Sequence, residues 1–293
     1  MMLFRTLLAI SVMLTPLARA DTLRVVTSIA PVQGLVAEIM IGVGTPELLL
    51  SDPISPHDFA MRPSQAKAIG NADVLFYIGE TLEPWLVNAL RARTEDTIAI
   101  RLGDIPDLNR FDARELDEFN AHDEENAEEY DPHYWLDPEN ALKWLAAIAE
   151  RLETVDPTNT AIYRANLERA KREIIAASDT TRAMLSAISG IRMIVTHDSI
   201  QYFERAFGLS AAGAFAASDG QKAGARSLNT LLNKIDPDTC IVEDITHPSR
   251  ITDSLPEGVK HVTIDPMGYD QLGEGYYPRL LYTLAQALLA CRD

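Results

Sequence analysis

The sequence has too few basic residues for a protein that binds nucleic acid. Lysine and arginine total 26 against 43 aspartate and glutamate residues, which gives a formal net charge of −17 at pH 7. This charge repels a phosphate backbone and attracts cations. The chain also lacks a G-x-S-x-G elbow, a Gly-rich phosphate loop, and H-E-x-x-H or C-x-x-C spacings. Serine-hydrolase and nucleotide chemistry are therefore not indicated.

Only the first twenty residues contain a long apolar run. Arg5 precedes an apolar stretch at 7–17, and residues 18–20 read Ala-Arg-Ala. This pattern is typical of a secretory signal peptide, so we predict cleavage after Ala20 and a periplasmic protein. No later stretch approaches the roughly 20 apolar residues of a membrane-spanning helix.

Cysteine is scarce, with Cys240 and Cys291 as the only examples. Because an exported chain matures in an oxidising compartment, we predict a disulfide between them. The bond would fix the C-terminal helix to a strand that contains Cys240, and loop-closure entropy would contribute about 4 kcal/mol. The alternative is two separate buried thiols.

Short apolar runs alternate with helical patterns twice along the chain, which predicts an α/β fold with two lobes. Each lobe would have a mostly parallel central sheet flanked by helices. We place the lobes at residues 21–155 and 190–293. The predicted strands are Leu23–Thr27, Glu47–Leu50, Val74–Ile78, Thr97–Arg101, Arg192–Thr196, Ala211–Ala214, Cys240–Glu243 and Val262–Ile264.

The segment 156–189 contains no glycine, and apolar residues recur in it at steps of three and four. It begins with Asp156-Pro157, a cap followed by a proline at the first helical position. This predicts one long amphipathic helix of about 50 Å that joins the lobes. Two shorter helices with a break near 178–180 are the alternative.

Residues 112–131 form a strongly acidic segment. They include ten acidic residues and one base, Arg114. Such a run repels itself and has little apolar content, so we predict a surface loop. The loop either is a solvated insertion or gathers cations through its acidic groups and His122.

Three histidines lie after predicted strands. His57 and His133 follow strands of the first lobe, and His197 directly follows a strand of the second. In open α/β sheets, ligands bind outside the carboxyl ends of the strands, where facing lobes would bring these residues together. Asp265 ends the last strand at the same edge. Three imidazoles and one carboxylate form a donor set that suits tetrahedral zinc.

Each of these residues also has an ordinary structural explanation. A single histidine at a strand end is commonly satisfied by neighbouring backbone, and an aspartate before proline is a common turn former. Asp58 and Asp198 stand next to proposed ligands and either orient an imidazole or cap a helix. His247 follows another strand end, where it would be a cap or a cleft residue.

Several motifs in the same order resemble the metal-binding solute-binding proteins that supply ABC importers, and most closely the ZnuA-like zinc branch. The resemblance covers nearly the whole mature chain. The motifs are Pro56-His57-Asp58-Phe59, Asn71-Ala72-Asp73, His133-Tyr134-Trp135-Leu136-Asp137-Pro138, Thr196-His197-Asp198 and Asp265-Pro266-Met267-Gly268.

The resemblance implies a metal site between two lobes, with His57, His133 and His197 as ligands. A histidine at the third position implies zinc, because manganese-preferring relatives carry a carboxylate there. The placement of the two cysteines also resembles the zinc branch. Pro56 stands where some zinc-branch members have a glutamate ligand, which leaves the fourth position to Asp265 or to water.

We therefore hypothesise a monomeric, non-enzymatic periplasmic protein that binds Zn²⁺ and delivers it to the membrane permease of an ABC importer. A periplasmic metallochaperone is a further expected partner. The alternatives are a manganese (Mn²⁺) carrier of the same fold and a secreted zinc hydrolase, since three histidines with an open position also describe a catalytic zinc site.

Overall fold

The structure is a computed structural model that describes residues 23–114, 130–188, 190–216, 225–233, 235–250 and 255–292. The predicted signal peptide, His122 and most of the acidic segment lie outside the described residues. Within these ranges, no helix is both long enough and apolar enough to cross a membrane.

Strands and helices alternate as the sequence predicts, with two four-stranded parallel sheets in the described chain. The strands are β1 (Val25–Thr27), β2 (Glu47–Leu48), β3 (Val74–Tyr77), β4 (Ile98–Arg101), β5 (Arg192–Val195), β6 (Ala211–Ala214), β7 (Thr239–Asp244) and β8 (Lys260–Ile264). The helices are α1 (Ala30–Met40), α2 (Pro63–Asn71), α3 (Val87–Ala92), α4 (Pro138–Val155), α5 (Thr160–Leu185), α6 (Gln201–Phe207), α7 (Ala225–Leu232) and α8 (Tyr276–Leu289).

Both sheets have the same strand order. The first runs β2-β1-β3-β4 and the second β6-β5-β7-β8. In each sheet the second strand in the chain pairs on one side of the first, and the later strands follow on the other side. The inner strands β1 and β3 are buried throughout, because helices cover both faces of a parallel sheet. This topology forms a crevice at the carboxyl ends of the first and third strands of each sheet.

Helix α5 is continuous, so the alternative with a break near 178–180 is wrong. The hydroxyl of Ser178 donates to the carbonyl of Ile174 at 2.8 Å, and that of Thr180 donates to the carbonyl of Ala176 at 2.9 Å. These bonds to the preceding turn let polar side chains remain inside a helix. Asn166 donates to two carbonyls at the C-terminal end of α1 and so ties the two helices together.

The two lobes share one hydrophobic core. It includes residues from both sheets and from α1, α4, α5 and α8. Beside it lies the buried carboxylate of Glu38, which accepts a bond from Arg169 of α5 at 2.9 Å and another from the backbone N–H of Gly275 before α8. The lobes are therefore joined by apolar packing and by a hydrogen bond to a buried carboxylate as well as by α5.

The predicted disulfide is confirmed. Cys240 in β7 bonds to Cys291 just after α8, with a Cα–Cα distance of 5.5 Å. Both cysteines are buried. The C-terminal helix is therefore covalently attached to the second sheet, and the alternative of two separate thiols is wrong.

Candidate metal site

The predicted ligands follow strands at one edge of each sheet. His197 lies two residues beyond the end of β5, and Asp265 directly follows β8. In the first lobe, His57 lies in the loop after β2, and His133 follows β4 and the acidic segment. His197 and Asp265 are thus at the carboxyl ends of parallel strands, where the sheet order forms its crevice, and His57 and His133 lie on longer loops that follow strands of the first lobe.

The three predicted histidines come together from both lobes. Their ring centroids lie 6.0 Å apart for His57 and His133, 6.3 Å for His57 and His197, and 5.3 Å for His133 and His197. Two imidazoles bound to one tetrahedral zinc through bonds of 2.0–2.1 Å have centroids about 5 Å apart. The three rings lie up to about 1 Å farther apart than in such a site, so zinc binding would draw the three imidazoles inward.

His133 is held by a carboxylate. Its ring nitrogen Nδ1 lies 2.6 Å from Oδ1 of Asp131, and its backbone N–H donates to the same oxygen at 2.9 Å. Both side chains are almost completely buried. Because Asp131 accepts from Nδ1–H, this tautomer leaves Nε2 as the nitrogen that can bind a cation.

His197 is adjacent to a second buried carboxylate. Its Nδ1 lies 3.4 Å from Oδ2 of Asp244, the last residue of β7. Burial by itself would raise the pKa of Asp244, but hydrogen bonds and charge from His197 and His247 hold this pKa well below its usual range. The edge shared by β5 and β7 therefore carries an ionised carboxylate between two imidazoles.

His57 lies on a loop that aromatic residues fix. The indole N–H of Trp85 donates to the carbonyl of Pro56 at 2.8 Å, and Phe59 packs edge-on against the same indole. The His57 backbone N–H donates to Ser55 Oγ at 3.2 Å. His57 is only partly buried, in contrast to His133 and His197.

Asp265 organises the turn after β8. Oδ1 accepts from the backbone N–H groups of Met267 and Gly268 at 3.0 and 2.9 Å, and Oδ2 accepts from that of Tyr269 at 2.7 Å. Burial raises the pKa of Asp265, and these three bonds oppose the shift. A carboxylate has about four lone-pair sites, which leaves about one for a cation.

The turn that contains Asp265 is connected to the His133 loop through Trp135. The indole N–H of Trp135 donates to the carbonyl of Pro266 at 2.8 Å, and the His133 and Trp135 rings lie 5.3 Å apart.

Asp198 and Asp58 have different surroundings. The Asp198 carboxylate is bound by the guanidinium of Arg114, whose Nε lies 2.8 Å from Oδ2. Arg114 also binds Glu204 at 2.6 Å, so a residue of the first lobe joins two buried carboxylates of the second. Burial raises the pKa of Asp198 and Arg114 opposes this shift. Asp58 is exposed.

Sequence reasoning missed the carboxylates that contact the imidazoles. Asp131 is two residues before His133, and Asp244 ends the strand that pairs with β5. A carboxylate near a predicted ligand, or at the end of a neighbouring strand, is the sequence feature that could have identified both. His247, a predicted cap or cleft residue, has its ring centroid 3.9 Å from that of His197.

A family profile described as ZnuA, "Zinc-uptake complex component A periplasmic", matches residues 25–291. The chain belongs to the ZnuA family. The high-affinity zinc uptake system protein ZnuA of Paracoccus denitrificans (strain Pd 1222) is 32% identical over 303 residues, covering 94% of this chain and 93% of that protein. The Brucella abortus (strain 2308) protein of the same name is 31% identical, with 91% of each chain covered.

The fold agrees with this membership. A crystal structure of ZnuA superposes with a TM-score of 0.77 at 21% identity and covers 92% of this chain and 98% of that one. The family resemblance predicted from the sequence motifs is therefore confirmed, and so is the two-lobed α/β architecture. The matched region includes every predicted ligand of this ZnuA-family chain.

Proposed function

We propose that this protein captures one zinc ion between its two lobes in the periplasm and delivers it to the permease of an ABC importer. The observation that carries the proposal is the convergence of His57, His133 and His197 from both lobes in a ZnuA-family chain. Relatives that match more than nine-tenths of the chain are named high-affinity zinc uptake system proteins.

In this proposal the ligands are the neutral imidazoles of His57, His133 and His197. Asp265 or a water molecule completes the tetrahedron, since one of the lone-pair sites of Asp265 is not used by the backbone. Asp131 holds His133 in the tautomer that presents Nε2. Such support typically contributes 10- to 100-fold to metal affinity.

A transport role, and not catalysis, agrees with how the nearby carboxylates are used. Asp131 accepts from His133, Asp244 contacts His197, Asp198 binds Arg114 and Asp265 accepts three backbone bonds. A zinc hydrolase needs a general base beside the metal-bound water. These four carboxylates already bind imidazoles, a guanidinium or backbone N–H groups, which supports a role of zinc as cargo.

The direct test is metal content after competition. The mature protein is stripped of metal, equilibrated with buffered zinc and manganese, desalted and analysed for both elements. We expect about one zinc per chain with little manganese. Manganese in preference to zinc would support the alternative carrier, and retention of neither metal would reject the site.

We further propose that the exported chain begins at Asp21, that it is a monomer, and that a periplasmic metallochaperone can load it. Intact mass of the secreted protein tests the first point, because cleavage elsewhere gives a different mass. Light scattering at several concentrations tests the second. Zinc transfer from a candidate chaperone that exceeds transfer from buffered zinc would support the third.

A further inference from the structure

A second set of donors lies beside the three histidines. One ligand atom from each of His197, Asp244 and His247 lies within 4.8 Å of the other two, a spacing that no other set of three such residues reaches in the described parts of the chain. Oδ2 of Asp244 is 3.4 Å from His197 Nδ1 and 3.8 Å from His247 Nδ1. Donors around a tetrahedral zinc are about 3.3 Å apart, so these two edges are close to the required length.

The second set is built entirely on the C-terminal lobe. His197 follows β5 and Asp244 ends β7, and these strands are hydrogen-bonded neighbours. Oδ1 of Asp244 accepts from the backbone N–H and hydroxyl of Thr246 at 2.8 and 2.7 Å, and Oδ2 accepts from Ser199 at 2.9 Å. The Thr246 hydroxyl also contacts His247 Nδ1 at 3.0 Å. The geometry of the second donor set therefore does not depend on the position of the first lobe.

The donors become more exposed from one to the next. The side chain of His197 is 2% exposed, that of Asp244 is 4% exposed and that of His247 is 23% exposed. His197 belongs to both donor sets. A cation that passes from His57 and His133 to Asp244 and His247 would stay beside the His197 imidazole, whose Nδ1 faces the second set, and would move toward solvent.

We propose that His197, Asp244 and His247 form a second cation position, which zinc occupies as it enters or leaves the interlobe site. This inference rests on the proposed function and adds a transfer route to it. The two positions adjoin the same imidazole, so the metal exchanges its other ligands over a short path. The first-lobe histidines supply retention, and the C-terminal lobe alone supplies the position used in transfer.

The test isolates the second position by removing the first. In the full mature chain, the double variant His57→Ala/His133→Ala keeps His197, Asp244 and His247. Zinc affinity is measured by competition with a chelator of known affinity, and Co²⁺ absorption reports the geometry of the bound ion. We expect one weak site per chain, with an absorption that differs from that of the parent protein.

Adding His247→Ala to the double variant should weaken the residual site by at least about tenfold. The matched control adds His261→Ala, because His261 is an exposed histidine of β8 whose Nε2 contacts Glu243 at 3.0 Å, away from the donor set. The control should leave the residual site unchanged. Circular dichroism of each variant checks that the chain is folded.

Kinetics give an independent readout. In the otherwise unaltered chain, His247→Ala should slow zinc transfer to an excess of chelator by about tenfold, and His261→Ala should not. The proposal is overturned if the double variant binds no zinc, if its residual affinity does not depend on His247, or if His247→Ala leaves the transfer rate unchanged. Failure of the proposed function would show separately, as absence of zinc binding by the unsubstituted protein.

Discussion

The two lobes have the same strand order but use the buried carboxylate at the crevice in opposite ways. In the first lobe, Glu83 accepts bonds from the backbone N–H groups of Ile78 and Gly79, just beyond β3, at 2.8 and 3.0 Å. Burial raises the pKa of Glu83 to about 7. In the second lobe, Asp244 contacts His197 and His247, and its pKa is lowered.

Topology provides the crevice, and side chains determine its chemistry. The carboxylate of the first lobe stabilises its own loop, whereas that of the second contacts two imidazoles. The second lobe therefore has its own set of metal donors at this edge. The first lobe contributes His57 and His133 from the loops that follow its outer strands, β2 and β4.

The largest expected effect concerns the connection between the lobes. Arg114→Gln removes the counter-charge of Asp198 and Glu204, whose side chains are 2% exposed. Breaking a buried ion pair in this way typically lowers the free energy of unfolding by about 3 kcal/mol or more. Urea unfolding of the metal-free protein measures the change.

The control for Arg114 is Lys171→Gln, which removes an exposed partner of Glu168 on α5. Exposed pairs contribute less than about 1 kcal/mol, so this variant should unfold at nearly the parent urea concentration. Equal effects of the two variants would contradict the assigned role of Arg114.

Removing the ligand from the second lobe should lower zinc affinity more than it lowers the stability of the fold. His197→Ala removes the only residue common to both donor sets, so we expect zinc affinity to fall more than about a hundredfold, beyond the usual effect of a supporting residue. Chelator competition measures the affinity. His261→Ala should bind zinc as the parent does, and an intact affinity in His197→Ala would remove this histidine from the site.

The orientation of His133 gives a smaller effect. Asp131→Asn keeps the shape of the side chain but weakens its acceptance of the Nδ1 proton, so zinc affinity should fall about 10- to 100-fold. The same competition measures it. Asp58→Asn is the control, because Asp58 also neighbours a ligand in sequence and is exposed. Equal affinities of the two variants would mean that Asp131 does not support the metal.

Glu83 tests the first-lobe side of the comparison. Its pKa is about 7 in the folded chain and near 4.5 when the chain is unfolded. The folded state therefore binds the proton more tightly, and the group's contribution to stability is lost as pH rises from about 4.5 through 7, by at most about 3 kcal/mol.

Glu83→Gln should flatten this part of the pH dependence of unfolding, measured in urea between pH 4.5 and 8. Glu95→Gln, at an exposed position, serves as the control and should retain the parent slope. A parent-like slope in Glu83→Gln would show that Glu83 does not titrate in this range.

Much of the fold was predictable because its signals are local. Continuous apolar runs located all eight described strands to within two residues, and the helical period located α5. Helix α4 was not predicted. Its N-cap Asp137 accepts from the backbone N–H of Glu139, and apolar residues such as Trp144 and Ile148 recur on its buried face. The cap and the apolar pattern of α4 are local, so the sequence was sufficient to predict this helix.

The site was predictable in its histidines and not in their partners. Ligands of open α/β sheets bind outside the carboxyl ends of the strands, and this rule identified His57, His133 and His197 as candidates. The pairing of Arg114 with Asp198 joins residues 84 positions apart, and that of His197 with Asp244 joins residues 47 positions apart. Such pairs depend on how the lobes pack and how strands are ordered, which local patterns do not encode.

The most direct test of zinc capture between the lobes is X-ray absorption at the zinc edge on protein loaded with one zinc per chain. Capture between the lobes predicts a four-coordinate shell with three imidazoles at about 2.0–2.1 Å and one further oxygen. In His133→Ala, one imidazole should be lost from that shell. A shell made of oxygen alone, or an imidazole count that is unchanged in His133→Ala, would contradict the account.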